Sequence, residues 1–179
     1  MEALSSFGTM PVTAEQRRVA LGHPAGWIST GFGSGFSPIA PGTAGSLVAL
    51  LPWLALATLP LPYYALALVI AFLLGVWACA WIVKRLGVAD PGFAVWDEFV
   101  GLWIALTPLV GSPGSWAWIT AGFILFRIFD IWKPWPVSWA DRNVDGGLGV
   151  MLDDVVAAGY ALVVFAIVVR VQGPLWAAG

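Results

Sequence analysis

The sequence predicts an all-α fold, a polytopic membrane helical bundle of about four to five hydrophobic helices with a catalytic cluster at the cytoplasmic face. Three observations carry that expectation. First, 60% of the 179 residues are AVILMFWYC and only 10% are charged, whereas a soluble domain is nearer half apolar and a quarter charged. Second, no Lys, Arg, Asp or Glu occurs from Val19 to Val83, a stretch long enough for two membrane passes. Third, 12 tryptophans suit a chain that meets the membrane–water interface repeatedly. The mean hydropathy of +0.87 agrees. A net charge of −2 with eight basic residues excludes a surface built for nucleic acid. The single cysteine, Cys79, lies in an apolar run, where it permits no internal disulfide and reads as an inert buried thiol.

Taken in order, residues 1 to about 20 read as an N-terminal surface tail, without the apolar core and small-residue cleavage site of a signal peptide. Residues 21–179 read as one membrane-embedded domain. The first apolar run, Ser46 to Leu59, carries Pro52, and Leu59-Pro-Leu-Pro62 makes a turn from which a second helix starts at Tyr63. Leu61 to Val83 gives 23 uncharged residues, more than the ~20 a bilayer core requires. The third and fourth runs, Phe99 to Val110 and Trp116 to Phe126, flank the turn Gly111 to Ser115. Both are short for a full span, so their helices are expected to tilt or to extend past the apolar run at its charged end. The fifth, Val155 to Val169, is closed by Arg170. Folding these runs as successive crossings, with the N-terminus inside, leaves only Arg170 of the eight basic residues outside. This positive-inside asymmetry predicts a multi-pass membrane protein with its chemistry on the cytoplasmic side.

Three motif groups fall on that inner face. In Thr30-Gly-Phe-Gly-Ser-Gly-Phe-Ser-Pro38 and Pro41-Gly-Thr-Ala-Gly-Ser46, Gly31, Gly33, Ser34, Gly35, Thr43 and Ser46 read as an anion cradle, completed by the amides of a helix starting near Ser46. The alternative is a Gly/Pro turn that only connects. Neither a dinucleotide fingerprint nor a Walker A loop is present. The second group is acidic: Asp97-Glu98, Asp130 and Asp153-Asp154, each where an apolar run meets the inner face. Carboxylates brought together repel, and oxygen-only ligands favour Mg²⁺ or Mn²⁺ as the neutralising ion. Helix-end capping by Asp153 and Asp154 is the competing explanation. The third group is Arg127 and Lys133, in Phe126-Arg-Ile-Phe-Asp-Ile-Trp-Lys-Pro-Trp-Pro136. A guanidinium and an ammonium beside metal-binding carboxylates suit a phosphoryl group. An i,i+3 ion pair between Arg127 and Asp130 with an interfacial lysine is the plainer reading. Trp132, Trp135 and Trp139 suit the headgroup layer. The Gly-rich stretch Asp141 to Gly149 either approaches a ligand or turns the chain.

Together, Gly31 to Pro38, Pro41 to Ser46, Val95-Trp-Asp-Glu-Phe-Val-Gly101, Phe126 to Pro136 and Gly146-Gly-Leu-Gly-Val-Met-Leu-Asp-Asp154 closely resemble the bacterial phosphatidylglycerophosphatase A family, over about Trp27 to Gly159. The resemblance implies a Mg²⁺-dependent inner-membrane phosphatase that converts phosphatidylglycerophosphate to phosphatidylglycerol and inorganic phosphate in phospholipid biosynthesis.

The residues narrow the mechanism separately. Cys79 lacks an Arg-bearing phosphate loop, His23 is the only histidine, and no Asp-x-Asp nucleophile pair occurs. Carboxylate-bound metal with an activated water, or direct attack by an aspartate, remains. Asp97, Asp130 and Asp154 are the expected core ligands, with Glu98 or Asp153 as base or outer ligand. Arg127 and Lys133 are the expected phosphate clamps. His23 is either a proton donor to the leaving group or a plain interfacial residue. A small membrane transporter is the rival reading, and a site near mid-span would distinguish it. The charges instead lie at the ends of the apolar runs.

Overall fold

In the computed structural model, residues 12–111 and 115–172 are described, and every regular element among them is helical. Residues 1–11, 112–114 and 173–179, which include most of the expected tail and the centre of the turn from Gly111 to Ser115, lie outside the described residues. Within the expected tail, α1 (Ala14–Leu21) begins at a reciprocal cap: the Gln16 amide N–H donates to the Thr13 hydroxyl, and the Thr13 N–H to the Gln16 side chain. It leads through His23 into α2 (Pro24–Ser29).

α3 (Pro41–Leu56) starts five residues earlier than the sequence suggests, because Pro41 occupies a first-turn position where its missing N–H and fixed φ are tolerated. Gly42 to Gly45 are therefore helical, not a loop. α4 (Leu61–Leu86) likewise accommodates Pro62 in its first turn and ends on Gly87 at φ +66°. The third apolar run departs from expectation. α5 (Trp96–Ala105) has ten residues and gives way to a 3-10 turn over Thr107–Leu109, so at 1.5 Å per residue it is about 15 Å long, half a bilayer core. Pro108 brings no N–H for continued α-helix, and the Thr107 hydroxyl donates to the Ile104 carbonyl at 2.7 Å. α6 (Trp116–Trp132) does run past its apolar stretch through Arg127, and Lys133 ends it in a left-handed conformation, φ +46°, before Pro134. After α7 (Val137–Asn143), α8 (Gly146–Gln172) begins nine residues ahead of Val155. Asp153 and Asp154 thus sit inside a helix, which removes end-capping as their explanation.

α5 is the centre of the bundle, packed against α3, α4, α6 and α8, while α8 also lies along α4, α6 and α7. Three aromatic side chains buried at these contacts donate to backbone carbonyls. The Trp96 indole donates to the Ala71 carbonyl at 2.9 Å, the Trp103 indole to Ala49 at 2.8 Å and the Tyr64 hydroxyl to Trp103 at 2.5 Å. Cys79 is fully buried and free. The alternating chain direction gathers the start of α3, the loop that follows α4, the start of α5, the end of α6, α7 and the start of α8 around one cavity. By length and composition α4 and α8 could each cross a membrane, and only 28% and 33% of their most apolar windows are buried.

Close helix approach depends on glycine at Gly147, where a Cβ would collide with the backbone of Val76 and Ala80 on α4, whereas Gly159 on the same helix faces open space. Gly147→Ala is expected to lower stability by about 1–3 kcal/mol, and Gly159→Ala to leave it unchanged or raise it by about 0.5–1 kcal/mol. Thermal unfolding in detergent checks both.

Candidate active site

The start of α5 is held by the Val95 N–H, which donates to the Ser29 carbonyl at 2.7 Å. This places Asp97 and Glu98 in the first turn, where the Glu98 N–H donates to Asp97 Oδ1 at 2.9 Å. Helix N-termini favour such negative charge. Glu98 is buried and doubly held: the Ser46 hydroxyl donates to Oε2 at 2.8 Å, and Arg127 Nη1 donates to both carboxylate oxygens. Arg127 also lies 2.8 Å from Asp130 Oδ2, one helical turn away. Gly42 is part of this arrangement, since a Cβ there would collide with the Glu98 carboxylate.

A second cation does the same work beside it. Lys133 Nζ donates to Asp141 Oδ1 at 2.5 Å and to Asp153 Oδ2 at 2.8 Å, joining the end of α6 to α7 and α8. Partial burial opposes its charge, but the two carboxylates outweigh that and hold the ammonium above its usual range. Asp97 and Asp154 make no ion pair among the described residues. Asp154 is 3% exposed, and its Oδ2 is buried without a hydrogen-bond partner, as is Arg127 Nε.

These groups line one cavity of about 360 Å³. Asp97, Glu98, Asp130, Asp153, Asp154, Arg127 and Lys133, all anticipated from sequence, meet there. Asp90, Asp141 and Asp145 join them unanticipated. Asp141 and Asp145 lie within the Gly-rich stretch whose role the sequence leaves open, while Asp90 precedes a Pro-Gly turn and carries no motif. Eight carboxylates thus share the cavity with two cations. Among the described residues no three acidic, histidine or cysteine side chains stand as a preassembled metal cage.

The glycine cradle is not brought to this cavity. The amides of Gly31, Gly33, Ser34 and Gly35 donate within their own loop, to Ile28, Thr30, Gly31 and Thr30 at 2.9–3.2 Å. Gly31 and Gly35 instead admit close packing against Phe99, Val95 and the Phe93 backbone, with Gly31 at φ +55°. The loop therefore braces the start of α5. Of the remaining expected cradle residues, Ser46 reaches the site through Glu98, and Thr43 lies on the first turn of α3, outside the lining. His23 is also elsewhere: its Nδ1 accepts the Ala25 N–H at 3.1 Å, and its ring stacks on Trp81.

Comparison with known proteins gives a consistent picture. The family model for phosphatidylglycerophosphatase A matches residues 27–169. A phosphatidylglycerophosphatase A of Escherichia coli is 48% identical over 140 residues, 78% of this chain and 80% of that protein. The corresponding protein of Haemophilus influenzae is 43% identical over 153 residues, 84% of this chain and 93% of its own. A Bacteroides thetaiotaomicron relative that bears the name of a phosphatidylinositol-3-phosphatase is 48% identical over 149 residues, 78% of this chain and 90% of its own. No solved structure matches the chain.

Removing the cation from the Glu98–Arg127–Asp130 group leaves buried carboxylates uncompensated. Arg127→Met is expected to cost about 3 kcal/mol or more of stability, and adding Glu98→Gln to restore part of it. Chemical unfolding of the single and double variants tests this coupling.

Proposed function

The chain belongs to the phosphatidylglycerophosphatase A family and is a phosphatase. From that premise, we propose that it hydrolyses the terminal phosphomonoester of phosphatidylglycerophosphate, releasing phosphatidylglycerol and inorganic phosphate for phospholipid biosynthesis. The observation that carries the reading is the carboxylate-rich cavity: all its lining residues fall within the matched segment.

A divalent cation suits this cavity. Eight carboxylates stand against two cations, the donors are hard oxygens, and the Asp154 oxygen is buried without a partner. Asp97 and Asp154, the two carboxylates of the expected set without a cation partner, are the proposed principal ligands of Mg²⁺, with Asp130 beside them. When bound, Mg²⁺ would polarise the phosphoryl group and lower the pKa of a coordinated water. Lys133 and Arg127, whose buried Nε–H lacks a hydrogen-bond partner, are the proposed donors to phosphate oxygens. Glu98 is held on both oxygens and orders Arg127, which leaves Asp153, with one oxygen on Lys133, as the better proton acceptor for the attacking water. The phosphorus–oxygen bond to glycerol breaks as the water adds, and the departing oxygen takes up the proton that Asp153 accepted from that water.

The membrane setting is supported by apolar side chains left facing outward on several helices, such as Leu51 on α3, Leu73 on α4, Ile131 on α6 and Ile167 on α8. We place α4 and α8 across the bacterial inner membrane, α3 and α6 beside them, and the cavity toward the cytoplasm, where the positive-inside rule puts Lys133 and Arg127. The Bacteroides relative's name favours one second reading, a phosphoinositide monoester as substrate in the same cavity.

Phosphate release by the purified protein in detergent separates these. With Mg²⁺, phosphatidylglycerophosphate is expected to be cleaved faster than phosphatidylinositol 3-phosphate, and chelation to abolish turnover. Asp97→Asn and Asp154→Asn are expected to lower kcat at least about 100-fold without loss of folding. Near-normal release by both variants rejects the ligand assignment.

A further inference from the structure

Four of the chain's basic residues, Arg17, Arg18, Lys84 and Arg85, lie on α1 and the last turn of α4, away from the acidic cavity, and Arg17 turns aside to the Phe36 carbonyl and ring. Arg18 and Arg85 line a separate hollow of about 550 Å³ there, with His23, Trp81 and Glu15. Neither arginine has an acidic side chain at ion-pair distance among the described residues, although Glu15 is on the same wall. The floor is built rather than incidental. His23 stacks on Trp81 with ring centroids 4.3 Å apart and planes within 9°, and Trp77 adjoins it at 6.3 Å. Trp77, which adjoins His23, is itself exposed and adds apolar surface beside the hollow.

From this arrangement we infer that the Arg18–Arg85 hollow binds the phosphodiester headgroup of an anionic bilayer phospholipid, apart from the catalytic cavity. Two guanidinium forks without a carboxylate partner among the described residues supply paired donors to phosphate oxygens. The indole and imidazole rings supply a flat surface for the glycerol portion, at the depth where tryptophan prefers the interface. Basic residues beside the end of a membrane helix attract anionic lipid. The inference rests on α4 lying in a bilayer and not on the phosphatase reading.

Native mass spectrometry of the full chain released from detergent tests it, using short-chain phosphatidylglycerol against phosphatidylcholine. The wild type is expected to retain phosphatidylglycerol roughly tenfold better. Arg18→Gln/Arg85→Gln is expected to bring the two lipids within about twofold, each single variant to fall between, and Glu15→Gln to increase retention. Lys84→Gln removes the same charge one residue from Arg85 but lies outside the hollow, and is expected to behave as wild type. Equal loss in Lys84→Gln would make the effect diffuse surface charge and overturn the site. So would equal retention of both lipids by the wild type, or displacement of lipid by millimolar glycerol phosphate, which would make the ligand a soluble phosphate. Circular dichroism in phosphatidylcholine micelles identifies any variant that fails to fold, and the single variants then decide. Absence of phosphate release in the turnover assay leaves this measurement unaffected.

Discussion

Two cations, Arg127 near the end of α6 and Lys133 just past it, organise a cavity that holds eight carboxylates, and the ties between the surrounding helices follow from that imbalance. Arg127 ties α6 to Glu98 on α5, and Lys133 ties it to Asp141 on α7 and Asp153 on α8. Carboxylates this close and this buried would otherwise repel one another or take up protons. Because the pairs are made between helices, moving α5 or α8 away from α6 would leave a buried charge without its partner, which costs far more than an exposed pair contributes. The same imbalance leaves Asp97 and Asp154 without counter-ions among the described residues, the deficit on which the proposed divalent cation rests.

The apolar body of the protein makes that convergence of helix ends possible. Trp96, Trp103 and Tyr64 satisfy their polar atoms on backbone carbonyls of neighbouring helices, so the interior carries large aromatic side chains without stranded donors at these positions. Glycine sets the distances of closest approach. Gly42 lets the Glu98 carboxylate lie against α3, and Gly147 brings α8 onto the α4 backbone, just where α8 begins its course toward Asp153 and Asp154. Glycine in this fold therefore shapes helix contacts more than it shapes a ligand-binding loop.

Charge is also divided in space. One corner is acidic and encloses its two cations, and another, between α1 and the end of α4, is basic and open. On the function proposed above, the first meets the phosphomonoester through a metal and two donors, and the second meets the anionic surface in which such a substrate is carried. Separation keeps the arginines of the second corner from neutralising the carboxylates of the first.

Much of this was legible in the residues themselves. Apolar runs and turn residues determine helices, the i,i+3 spacing determines the Arg127–Asp130 pair, and Pro134 determines where α6 stops. Alternating chain direction then brings the acidic motifs to one end, whatever the detailed packing. What the sequence could not determine is which carboxylate meets which cation. Glu98 and Arg127 are 29 residues apart and Lys133 and Asp153 are 20 apart, separations that no helical period relates, so only the close approach of packed helices selects them. The same holds for Asp90, which reaches the cavity from a loop, and for the short α5, whose apolar run continues past the point where its helix ends. The glycine loop is the clearest case. Its composition permits amides that face a ligand or amides that face one another, and tertiary packing against α5 decided for the latter, since buried N–H groups take the nearest carbonyls available.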